Sequence, residues 1–145
     1  MTYLLDINVL VALFDGTHVH HERAHRWFAA LGQTAWATCQ LTENGFVRVI
    51  SNPKYQTVSV TPAEAAMRLS IFCAHPGHLF WPDSSSVTDT SLFDLSKLQG
   101  HQQITDVYLA GLAQRYLGKL ATFDTSIPVS AVIGASPDLV EIIPN

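Results

Sequence analysis

Cysteine is scarce in this chain, with two among 145 residues. Cys39 and Cys73 stand far apart and belong to no CxxC pattern, so neither is assigned chemistry and each is expected to be a small buried hydrophobe. Charge is scarce too, at 14% of residues, and eight basic against twelve acidic side chains leave a formal net charge of −4. That balance argues against a broad basic surface for nucleic acid, because neutralising phosphates requires clustered Lys and Arg. Long apolar runs are lacking as well. The stretches around 9–14 and 129–135 fall far short of the roughly 18 to 20 residues a membrane span needs, so no transmembrane helix is expected. No basic region precedes the first apolar residues and no small-residue cleavage site follows them, which makes a signal peptide unexpected and the cytoplasm the default location. Internal repeats and low-complexity tracts are absent.

What is present is apolar. Hydrophobic residues make up 48% of the chain, which implies a well-filled core and some apolar surface kept for a partner. The length is that of one domain, expected to span 1–145. Tyr3-Leu4-Leu5-Asp6, followed by Ile7-Asn8-Val9-Leu10, begins as a continuous apolar strand of the kind covered on both faces, with Asp6 at its carboxyl end. Ala24, Trp27, Phe28 and Leu31 recur at helical spacing within 18–31, and Gly32 supplies a stop. A short strand over 35–38 and a helix over about 41–50 follow, the latter closed by Asn52-Pro53 and carrying Glu43 in its first turns. Thr61-Pro62-Ala63-Glu64 starts a helix to about Cys73. Residues 78–82 are expected as a buried strand, Asp83 to Ser86 as a loop, and about 88–98 as a helix ended by Gly100. Thr105 is read as the cap of a helix closed by Gly118, before a strand over 119–123 with Asp124 at its carboxyl end and a last, edge strand over 139–143. Strands alternating with helices predict an α/β fold, a three-layer domain whose central parallel β-sheet is flanked by helices.

In such sheets the functional crevice lies beyond the carboxyl ends of the strands, where the following helices begin. Asp6 and Asp124 end strands, while Glu43 and Asp106 begin helices, so all four are expected on one rim although they are scattered along the chain. Crowded carboxylates raise one another's pKa and call for a cation. With oxygen donors and no Cys or His required, Mg²⁺ or Mn²⁺ suits the set better than Zn²⁺. An acidic pocket of that kind is a common solution for phosphodiester hydrolysis. Taken singly each acid has a plainer explanation, Asp106 as a helix-dipole residue and Asp6 as a turn residue. The ordered four are harder to explain that way.

These residues also carry a resemblance. Leu4-Leu5-Asp6-Ile7-Asn8-Val9-Leu10 is similar to the opening motif of PIN domains, and Thr42-Glu43 with Phe46-Val47-Arg48 resembles the second. Ile104-Thr105-Asp106-Val107-Tyr108-Leu109-Ala110 resembles the third and Leu120-Ala121-Thr122-Phe123-Asp124 the fourth. Their order and spacing match VapC-type toxins over nearly the whole chain. The resemblance implies a PIN-like fold and the toxin of a type II toxin–antitoxin system, a metal-dependent endoribonuclease that cleaves RNA. It implies also a homodimer, neutralised by a cognate VapB-type antitoxin. It makes Asp6, Glu43, Asp106 and Asp124 the catalytic metal ligands or their close supports, with Asn8 and Thr105 as hydrogen-bond partners behind them. Where some relatives carry a further acid after the fourth motif, Thr125 and Ser126 stand here, so one firmly held ion is expected, with a second recruited by RNA phosphate.

Other patterns compete. His21-Glu22-Arg23-Ala24-His25 satisfies HExxH, the zinc-hydrolase motif. Phe28 stands where the longer form of that motif requires Gly, and a solvated helix face is the preferred explanation. Arg23, Arg26, Arg48, Lys54 and Arg115, with His18, His20 or His101, are weak candidates for RNA contact, since scattered single charges usually do nothing specific. Trp27, Trp36 and Phe28 are expected as core or dimer residues rather than base-stacking platforms. A phospho-accepting signalling domain would need a lysine after a late strand, whereas Lys119 precedes its strand. A catalytically inactive PIN-like scaffold would be free to lose the four acids.

Overall fold

The computed structural model of the protein describes residues 1–55 and 57–145. Five short strands, β1 (Tyr3–Leu5), β2 (Trp36–Thr38), β3 (His78–Phe80), β4 (Lys119–Thr122) and β5 (Val140–Ile142), form one sheet in the order β3-β2-β1-β4-β5. Every neighbouring pair is parallel. The α-helices are α1 (Ile7–Phe14), α2 (His21–Ala30), α3 (Gln40–Ile50), α4 (Pro62–Cys73) and α5 (Ile104–Arg115). Because successive strand side chains point to opposite faces, Leu5, Trp36 and Ala121 enter a core with α1 to α4, while Leu4, Ala37 and Leu120 enter a second core under α5. The three-layer α/β expectation holds.

The strand order reverses at β1. From there the chain first builds outward to β2 and β3, then returns to place β4 on the other side of β1. A crevice therefore opens at the carboxyl ends of β1 and β4, the point where open α/β sheets bind ligands. Close approach of helices brings the neighbouring wall in. A Cβ on Gly45 of α3 would lie 2.3 Å from Ile7 Cδ1 of α1, so glycine lets these two helices pack at that distance.

Several expectations are corrected. The strand does end at Asp6 as expected, and the apolar run after it, to which no element was assigned, is helix α1, with five successive residues, Val9 to Leu13, buried in it. A helix buried on nearly every side, with only Asn8 exposed, has almost no polar face and so little period by which to recognise it. No α-helix spans 88–98; the segment is turns with a short 3₁₀ turn at Leu95–Lys97. Asp89 accepts from the backbone and hydroxyl of Ser91, and Asp94 does the same with Ser96, local bonds that compete with helix. Helix α5 begins at Ile104 after a 3₁₀ turn, His101–Gln103, so Thr105 is its second residue rather than its cap. Strand β3 is an exposed edge rather than a buried strand, with Leu79 50% and Phe80 45% accessible. Strand β5 is the other edge, as expected, and Lys119 of β4 pairs there with Asp138 (3.7 Å) and Glu141 (3.9 Å).

Candidate active site

Asp6 follows β1 and caps α1. Its Oδ1 accepts from the Ile7 backbone N–H at 2.7 Å and its Oδ2 accepts from the Thr122 hydroxyl at 2.8 Å, while its own N–H donates to the Ala121 carbonyl at 3.0 Å. Burial pushes the carboxyl above its ordinary range, the bonds from Thr122 and Ile7 pull it back, and the Asp124 charge adds to the rise. Thr122 in turn accepts from the Asp124 backbone N–H at 3.1 Å, so one hydroxyl ties the ends of β1 and β4 together.

Asp124 stands two residues beyond β4. The Ser126 backbone N–H (2.8 Å) and hydroxyl (2.6 Å) both donate to its Oδ1, and they hold it below the usual carboxylate range. Asp106 enters from the first turn of α5. Burial first, then the charges of Asp6 and Asp124, push its carboxyl up to about 7. Three aspartates from three elements thus stand close enough at the switch point to act on one another's charge, one held ionised by its serine and one forced upward by its neighbours. An all-oxygen set that destabilises its own charge fits a hard divalent cation, which would relieve that repulsion.

Glu43 lies on the same rim in the first turn of α3 but faces elsewhere. The Thr38 hydroxyl donates to its Oε2 at 2.6 Å and also lies 2.8 Å from His78 Nε2. Among the described residues, the one group of three His, Cys, Asp or Glu ligand atoms within 4.8 Å of one another is Glu43, Cys73 and His78. The structure therefore gathers three of the four expected acids and turns the fourth toward the groove between α3 and α4. Of the two residues expected behind the ligands, Asn8 is exposed, and Thr105 lines a shallow groove with Leu41, Asp83 and Tyr108. Thr122 and Ser126 are the supports that sequence reasoning missed. The available signal was a hydroxyl two positions to either side of Asp124.

The HExxH pattern has a structural role. His21 Nδ1 lies 2.7 Å from the Ala12 carbonyl and His25 Nε2 3.1 Å from the Leu13 carbonyl, so both imidazoles satisfy carbonyls in the last turn of α1. Arg23 donates to the carbonyls of Ile143 and Pro144 and lies 4.8 Å from the Phe123 ring centre.

Residues 3–131 match the model of the PIN domain family. Among curated proteins, the chain is 43% identical over 143 residues to ribonuclease VapC39 of Mycobacterium tuberculosis, covering 99% of this chain and 100% of that one. It is 43% identical over 136 residues to ribonuclease VapC44 of the same organism, covering 94% and 95%. Among solved structures, M. tuberculosis VapC20, described as a sarcin-ricin loop cleaving toxin, aligns with a TM-score of 0.63 at 11% identity, covering 93% of this chain and 99% of that one. VapBC2 from Rickettsia felis, bound to a DNA fragment from its promoter, aligns at 0.59 and 16%, covering 98% of each chain. With the sheet order, the switch-point aspartates and the family match all agreeing, the chain belongs to the PIN-domain family, in its VapC ribonuclease branch.

Proposed function

We propose that the chain is the toxin of a type II toxin–antitoxin module, an endoribonuclease that uses Mg²⁺ or Mn²⁺ held by Asp6, Asp106 and Asp124, with Glu43 joining from the adjacent wall. The observation that carries this reading is the convergence of the three aspartates, Asp6 and Asp124 tied through the Thr122 hydroxyl and Asp106 close enough to feel both charges. Ribonucleases of this family are generally dependent on a divalent metal. A bound ion of this class would polarise the phosphoryl oxygen, activate water and offset charge on the leaving oxygen. The chain's own residues supply position. Thr122 and the Ile7 N–H fix both oxygens of Asp6, Ser126 orients Asp124, and α5 carries Asp106 into the space between them. Thr38 holds Glu43 one strand away.

The partners of this reading are RNA, a VapB-type antitoxin and a second copy of the chain, in the cytoplasm. Among the described residues no helix is long and apolar enough to cross a membrane. The test is incubation of the purified chain with total RNA and Mg²⁺ or Mn²⁺, followed by mapping of the cut ends. Cleavage that stops with chelator and in Asp6→Asn is the expected outcome, and unchanged cleavage in that variant rejects the aspartate assignment.

A further inference from the structure

Glu43, Cys73 and His78 come from three elements, α3, the last turn of α4 and the start of β3, and their ligand atoms lie within 4.8 Å of one another. A carboxylate, a thiol and an imidazole do not meet at that distance by helical periodicity, since each belongs to a different part of the chain. All three are partly buried and line one open groove between α3 and α4, in which Asn44 and Ser70 supply further oxygen atoms. Thr38 holds the geometry from behind, its hydroxyl donating to Glu43 at 2.6 Å and touching His78 Nε2 at 2.8 Å. The rings of Trp36 and His78, 4.7 Å apart, fix the imidazole on the other side.

We propose that Glu43, Cys73 and His78 form a second cation site, beside the aspartate pocket and sharing Glu43 with it, that takes Zn²⁺. One sulfur, one nitrogen and one oxygen are the donor mix that borderline ions select over Mg²⁺, and three protein ligands leave a fourth, solvent-facing position for water. A thiolate and a carboxylate at that separation repel one another unless a cation lies between them. Thr38 then plays the outer hydrogen-bonding part that metal-bound side chains commonly have. Glu43 belongs to both readings, whereas Cys73 and His78 take no part in the nuclease one.

The experiment is titration of the chelator-treated full chain with Co²⁺ as a spectroscopic substitute, then with Zn²⁺. One equivalent of Co²⁺ should produce a thiolate-to-cobalt charge-transfer band that Zn²⁺ bleaches and excess Mg²⁺ does not. Cys73→Ser should abolish the band, and His78→Gln should weaken Zn²⁺ binding tenfold or more. Asp106→Asn should leave both intact, which keeps this result distinct from the fate of the RNA-cleavage assay. Absence of the band in the wild-type chain, its survival in Cys73→Ser, or its loss in Asp106→Asn would each overturn the site. Should Cys73→Ser lose its far-ultraviolet circular dichroism, alkylation of the wild-type chain decides, with adducts placed by mass spectrometry on Cys73 or the fully buried Cys39. Zn²⁺ should slow alkylation of Cys73 at a concentration where Mg²⁺ has no effect, and equal rates with both ions overturn the proposal.

Discussion

Asp6 serves as a helix cap and as a wall of the acidic pocket, and substitutions separate the two. Asn ranks with Asp as a helix cap, so Asp6→Asn should keep α1 anchored while removing the buried charge, and stability should stay at or above that of the wild type. Asp6→Ala loses the cap as well and should cost about 1 kcal/mol. Urea unfolding of both variants, beside the RNA-cleavage assay, checks this: loss of cleavage in both with a stability difference between them is the expected pattern. Thr122 acts through its neighbours. Thr122→Val leaves the Asp124 N–H and one oxygen of Asp6 without that partner, an unsatisfied buried group worth about 1–3 kcal/mol. Its stability should fall by that order and cleavage should weaken while bound-metal stoichiometry is kept, because all the carboxylates remain.

At the scale of elements, the ends of helices carry more than their sequence announces. His21 and His25 complete the last turn of α1, so His21→Ala and His25→Ala should each cost about 1 kcal/mol in thermal or urea unfolding and leave RNA cleavage by the folded chain unchanged. A loss of bound zinc in these variants would instead revive the hydrolase motif. The end of α5 is unusual in another way. Leu117 is 87% exposed with φ of 59°, a left-handed conformation that costs a branched residue roughly 1 kcal/mol, while the neighbouring Gly118 packs against Thr2 and Trp81. Leu117→Gly should therefore stabilise the protein by about 0.5–1 kcal/mol, measurable as a higher urea midpoint at unchanged slope. These ends show why the sequence was legible in parts. Helix α4 was read correctly because Thr61 and Pro62 mark its start chemically, and α3 because Asn52-Pro53 marks its end. Helix α1 was hidden because nearly all of it is covered, only Asn8 being exposed, and the helix expected over 88–98 gives way to Asp–Ser turns. The three aspartates were legible because strand ends and helix starts fix where a side chain stands. The direction in which Glu43 points was not, because it depends on Thr38 and on His78, 35 positions further along the chain.

At the scale of the molecule, one buried carboxylate links distant segments. Asp15, at the end of α1, accepts from Thr17 at 3.0 Å (N–H) and 2.9 Å (hydroxyl), from Tyr55 at 2.6 Å, and from Thr57 across the α3–α4 connection. Burial alone would raise its pKa, but the bonds from Thr57, Tyr55 and Thr17 outweigh that and hold it well below the ordinary value of 3.8. A depressed folded value means the ionised form favours folding, so its contribution is complete above the ordinary value and is lost as pH falls toward the folded one. The stability difference between wild type and Asp15→Asn should thus be constant from pH 6 to 8, about the range where carboxylates stay ionised, and shrink on acidification below about 4. A difference independent of pH would reject Asp15 as the source. The sheet order has a consequence of another kind. Asp6 is made early but finds its partners only when Thr122 and Asp124 arrive, since β4 must pair with β1 to close the pocket. A chain still emerging from the ribosome therefore has no assembled acidic pocket until residues 119–124 are out. The order in which the strands are laid down thus makes the acidic pocket one of the last features of the fold to be completed.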